Sequence, residues 1–115
     1  MSLEIDEFRC KGKDCCGGKV ALDSAFFARI RRARVIADTP FIINSGYRCP
    51  KHNKEVGSTS TNHTSGKAAD IEAVDGPQRG KILKGLYGAG FLRVGIGKTF
   101  IHCDTTETFE SCWLY

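Results

Sequence analysis

The chain has 115 residues, of which 41% are hydrophobic and 10% aromatic, and its formal net charge is +4. That length supports one buried core rather than two, and the absence of any run of about 18 apolar residues excludes a membrane-spanning helix. The basic run Arg29-Ile30-Arg31-Arg32-Ala33-Arg34 has no interleaved aromatic side chains, so it reads as the solvated face of a helix and not as a nucleic-acid surface.

Taken in chain order, residues 1–19 form a polar, cysteine-rich segment expected to pack on the rest of a single domain spanning 1–115. The start is acidic and lacks an apolar stretch, so no signal peptide is read there. Leu22 to Ala37 carries apolar residues at Phe26, Ile30 and Ala33, with Phe27 and Ile36 alongside. This spacing predicts an amphipathic helix capped by Asp23 and ended before Asp38-Thr39-Pro40. Phe41 to Asn44 reads as a short strand, and the polar stretch around His52 and Asn53 as the start of a short helix. Residues 68–73, AADIEA, alternate weakly and read as a strand. Asp75-Gly76-Pro77 opens a second helix through Ile82, Leu83, Leu86 and Tyr87, closed near Gly88 and Gly90. Strands near 92–96 and 99–104 complete an α+β fold, with helices on one face of a small, largely antiparallel sheet.

The candidate chemistry is concentrated between Ser45 and Asp70 and in the run Phe100-Ile101-His102-Cys103-Asp104. Catalytic zinc usually takes three protein ligands from His, Asp or Glu, and His63, Asp70 and His102 supply that set. His63 falls on a loop and Asp70 on the following strand. In the last strand residues two apart share a face, so His102 and Asp104 point the same way and Cys103 the opposite way. Two neutral imidazoles and one carboxylate leave the zinc centre at a net single positive charge. Arg48 is suited to gripping a carboxylate with two hydrogen bonds.

The motifs SGYRxxxHNxxVG, TxHxxGxAxD and FIHxD, in this order, resemble those of the zinc D-alanyl-D-alanine carboxypeptidase family, the M15 metallopeptidases, over roughly residues 20 to 115. The resemblance implies a fold shared with hedgehog signalling domains and hydrolysis of peptidoglycan stem peptides by a D,D-carboxypeptidase or an endopeptidase, of which phage or prophage lysis enzymes are one kind. It implies Zn2+ held by His63, Asp70 and His102, and Arg48 binding the substrate carboxylate. It also implies a peptidoglycan peptide as partner and action in the cell wall or periplasm; the chain itself is expected to be a monomer. Thr61 stands where the family often has Ser and offers a hydroxyl to substrate; Tyr47 is read either as a substrate contact or as a packed aromatic. Many relatives carry a general-base carboxylate three residues before the last histidine, where this chain has Thr99. Asp104 is then the nearest acidic candidate, with Glu72 and Asp75 behind it. The other reading of Asp104 is a carboxylate that orients a histidine. The missing base also supports an alternative function, a zinc-containing cell-wall-binding module without turnover.

Cys10, Cys15, Cys16, Cys49, Cys103 and Cys112 permit fifteen full disulfide pairings. An oxidising setting favours one to three bridges tying the ends of the chain to the core. In a reducing one they stay thiols, or Cys10, Cys15 or Cys16 join Cys49 around a second, structural zinc. Two motifs are decoys. GKT at 97–99 lacks the glycine a phosphate loop needs at position 92, and the glycosylation triplet Asn62-His63-Thr64 overlaps the candidate metal loop.

Overall fold

The computed structural model describes residues 3–115. A short 3-10 turn, Ile5–Phe8, precedes helix α1 (Ser24–Ala37), strand β1 (Ile43–Ser45), helix α2 (Pro50–Glu55), strand β2 (Ala68–Glu72), helix α3 (Gly76–Gly88) and strands β3 (Arg93–Ile96), β4 (Phe100–Asp104) and β5 (Ser111–Leu114). The five strands form one sheet in the order β1-β2-β4-β3-β5. β1–β2, β2–β4 and β3–β4 pair antiparallel, whereas β5 runs parallel to β3, so the sheet is mixed.

The caps anticipated for both long helices are present. Asp23 accepts a hydrogen bond from the backbone N–H of Phe26, and Asp75 from that of Gln78, each satisfying an amide that has no partner within its helix. α1 and α3 pack on each other and cover one face of the sheet. Phe26, Ile30, Ile82 and Leu86 from the helices share a core with Ala69, Ile71, Val94, Ile101 and Cys103 from the strands. Because strand residues alternate between faces, the intervening positions Asp70, His102 and Asp104 are directed to the other side. The register places Asp70 opposite His102, and His102 opposite Gly95, in adjacent strands. Helix packing thus takes one face of the sheet and leaves the other for chemistry.

The structure adds detail beyond the sequence reading in three places. The N-terminal segment enters the main core: Phe8 is fully buried, its ring edge-on to Phe26 and Phe27 at centroid distances of 6.5 and 5.7 Å. β1 lies slightly later than expected, because Ser45 pairs with Asp70 and Ile43 with Ile71 across an irregular register. β5 had no expectation at all. Its four residues follow a polar loop, and they become a strand only because the edge of β3 offers unpaired backbone groups. The six cysteines are unbridged.

Candidate metal centre

The turn that presents His63 depends on Gly66, whose φ is +74° and whose α-carbon approaches the Ala21 carbonyl so closely that a β-carbon would sit 2.2 Å from that oxygen. The backbone N–H of Gly66 bonds the His63 carbonyl, and the amide of Asp23 bonds the Gly66 carbonyl. The loop is therefore pinned to the start of α1 just before β2 carries Asp70 into the sheet.

Candidate ligand atoms of His63, Asp70 and His102 all lie within 4.8 Å of one another. One Asp70 oxygen is 2.9 Å from His102 Nδ1 and 3.5 Å from His63 Nε2. The remaining nitrogen of each ring is engaged behind the site. His63 Nδ1 donates to the Gly46 carbonyl at 2.8 Å, and His102 Nε2 donates to Asp104 at 2.7 Å. That arrangement selects the tautomers that leave one lone pair per ring facing Asp70, as metal-binding histidines require. Two imidazoles and a carboxylate so disposed are a donor set suited to zinc.

The site charges are strongly coupled. Burial opposes ionisation of Asp70, but hydrogen bonds and charge from His102 and His63 outweigh it and hold the carboxyl well below its ordinary range. Burial likewise opposes protonation of His102, yet Asp104 and Asp70 together raise its pKa above the usual 6.5. A metal must displace that proton. If zinc binds here, its affinity is accordingly expected to decline from a pH above 6.5 downward, by about tenfold per unit for one displaced proton, as a competition titration across pH 5–8 would show. A pH-independent affinity over that window would place the metal elsewhere.

Arg48 lies beside Asp70, with 3.6 Å between Nη2 and Oδ2. Ser45 Oγ accepts from its Nε at 3.0 Å and Asn53 Oδ1 from its Nη1 at 3.3 Å, while Asn53 itself donates to the Ser60 carbonyl. The guanidinium is thus held at the rim of a cavity of about 250 Å³, which Asn62, Phe100 and Tyr115 also line together with the three candidate ligands.

Other expected site residues take different places. Tyr47 is buried against Cys10 and Cys49, away from the cavity, so its packed-aromatic reading describes its position. Thr61 is exposed on the turn, and its neighbours Ser60 and Asn62 line the cavity instead. Thr99 is exposed just before β4, and Asp75 is occupied in capping α3. Glu72 follows Asp70 by two residues and pairs across the sheet with Phe100. Asp104 is 1% exposed and does not line the cavity. Its Oδ1 accepts from Arg93 at 2.7 Å and from the amide and hydroxyl of Thr106; its Oδ2 accepts from His102 and from Asn62 at 3.4 Å. Burial opposes its charge, but the bonds from His102, Thr106 and Arg93 prevail and lower its pKa to about 2.

Sequence reasoning missed Arg93 and the aromatic wall built by β5. The Arg93 guanidinium lies 5.2 Å from the centre of the Trp113 ring and 5.5 Å from that of Phe109. Trp113 also flanks His102, at a centroid distance of 5.5 Å. Gly95 makes room for it, since a β-carbon there would come within 2.6 Å of the indole. The Trp-x-Tyr ending of the chain, with two aromatics on one face of a strand, was the available signal.

An α+β domain with two histidines and an aspartate gathered on the open face of its sheet defines a candidate metallohydrolase. The family model for peptidase M15 matches residues 1–104, and the chain belongs to that family, the M15 metallopeptidases. The match includes the N-terminal segment, extending the resemblance seen from residue 20 onward, and stops before β5. No curated protein sequence matches the chain.

Proposed function

We propose that this chain is a zinc-dependent peptidase that hydrolyses peptidoglycan stem peptides, as a D,D-carboxypeptidase or an endopeptidase. The observation that carries this reading is the convergence of His63, Asp70 and His102 within 4.8 Å, with Arg48 beside them on one cavity, in a chain of the M15 family. His63, Asp70 and His102 hold the metal. Bound there, zinc supplies Lewis acidity and an activated water. Arg48 anchors a substrate carboxylate and so places the neighbouring amide at the ligand cluster, a gain in positioning and not in bond chemistry. Phe100 and Tyr115 flank the peptide with apolar surface. Asp104 acts as a positioning residue: its bond to His102 Nε2 fixes the ring with Nδ1 forward.

One observation favours a second reading, a zinc-containing wall-binding module without turnover. Among the described residues lining the cavity, Asp70 is the single carboxylate, and in the proposed site it is already a metal ligand.

Metal content and peptidoglycan hydrolysis measured on one preparation, with products resolved by mass and a His63→Ala control, separate the two. The peptidase reading expects zinc, released peptides or D-alanine, and loss of both metal and products in the variant. Zinc with sedimentation on cell walls and no released product on any wall type would establish the binding module and overturn the peptidase.

A further inference from the structure

A second cluster of ligating side chains, which shares no residue with the site just described, includes Cys49, the residue after Arg48. Residues 9–22 form no helix or strand, yet Cys10 is buried and the segment closes on itself through a hydrogen bond from the Cys10 amide to the Lys19 carbonyl at 2.8 Å. The sulfurs of Cys10, Cys15, Cys16 and Cys49 converge there, all within 4.8 Å of one another. Cys10 and Cys15 are 3.8 Å apart, as are Cys15 and Cys16. A disulfide needs about 2.05 Å. Four thiolates around zinc, with metal–sulfur bonds of about 2.3 Å, define a tetrahedron whose edges are about 3.8 Å.

We propose that Cys10, Cys15, Cys16 and Cys49 form a structural tetrathiolate zinc site, distinct from the His63, Asp70 and His102 centre. Two backbone amides support thiolate charge, Cys49 N–H directed at Cys10 Sγ (3.5 Å) and His52 N–H at Cys49 Sγ (3.4 Å). Tyr47 and Leu22 pack on the cluster and give it an apolar wall. Four thiolates and one zinc carry a net charge of about −2, and the surrounding sequence is basic: Arg9, Lys11, Lys13 and Lys19 in the loop, Lys51 just after Cys49. Lys51 also bridges the two arms, its ammonium donating to the Asp14 carbonyl at 2.7 Å. Between Arg9 and Cys16 the apolar contacts with Tyr47 and Leu22 are made by the cysteines themselves, so a metal there would cross-link the loop at the point where it already packs.

The placement has a functional consequence. Cys49 is the residue after Arg48, and α2, which begins at Pro50, carries the Asn53 that holds the guanidinium. A metal at the cysteines therefore fixes the Arg48 side of the cavity from outside the cavity itself.

The test uses the full chain produced in zinc-depleted, cobalt-supplemented medium. Cobalt bound by thiolates shows an intense sulfur-to-metal charge-transfer band in the near ultraviolet, which imidazole and carboxylate ligands do not give. The expected result is that band in the wild-type chain, retained in His63→Ala/His102→Ala and lost in Cys10→Ser/Cys49→Ser. Zinc-grown protein should carry about two zinc ions per chain, falling to about one in either double variant. Should the cysteine variant fail to fold, the wild-type spectrum decides by itself. Absence of the charge-transfer band, iron in place of zinc in protein from ordinary medium, or an intact mass lighter by about 2 Da per bridge, the signature of disulfides, would overturn the proposal. The histidine variant separates this result from the peptidase reading, which can fail while the cysteine site stands.

Discussion

Asp70→Asn is expected to lower zinc affinity at the proposed histidine site by more than about 100-fold and, on the peptidase reading, to reduce peptidoglycan hydrolysis to the level of metal-free protein. Asp70 supplies the negative charge lining the cavity, and His102, His63 and Arg48 all converge on its carboxylate. Asparagine keeps the shape but replaces one acceptor oxygen by a donor, which then faces positive or donor groups. Replacing a ligand should exceed the 10–100-fold losses typical of residues behind the ligands. Competition with a chromophoric chelator measures the affinity, and the same preparation supplies the activity. Near-wild-type zinc binding at this site would remove Asp70 from the ligand set and with it the proposed centre.

Asp104→Asn should have two separable effects. The first is on stability, because Arg93 would lose its partner in a pair whose aspartate side chain is fully buried. Removing one member of a buried pair costs about 3–5 kcal/mol; with the Arg93 side chain 16% exposed, about 3 kcal/mol is expected, a fall in Tm of roughly 10 °C or more. The second is on the metal. With the charge behind His102 gone, its Nδ1 becomes a poorer donor and its ring less well oriented, so zinc affinity should drop about 10–100-fold. Hydrolysis should then return when zinc is supplied to saturation. If Asp104 is instead the general base, turnover stays lost at full zinc occupancy, and the positioning role assigned here is wrong.

The two variants also mark where the sequence was informative. Both long helices, their Asp23 and Asp75 caps, the α+β class and the strands carrying Asp70 and His102 follow from local rules: apolar spacing, capping side chains and alternation along a strand. Alternation alone separates Cys103, in the core, from His102, on the open face. The motif order is sufficient to suggest the family, and four of the residues that line the cavity, His63, Asp70, His102 and Arg48, are legible in those motifs, whereas Ser60, Asn62 and Tyr115 are not.

What the sequence determined by itself is thus the residue chemistry and its local geometry: which side chains can ligate, which face of each element they occupy, and where helices begin. Only the tertiary structure decided which candidates meet. Asp104 shares a face with His102, but the Arg93 and Thr106 contacts that occupy its Oδ1 come from β3 and from the loop after β4. Tyr47 sits one residue from Arg48 but turns into the cysteine cluster. β5 joins the sheet by parallel pairing with a strand about 18 positions earlier, bringing Trp113 and Tyr115 to the site. The physical reason is common to all three: long-range pairing and burial depend on the shape of surfaces assembled from distant parts of the chain, and no local spacing encodes them.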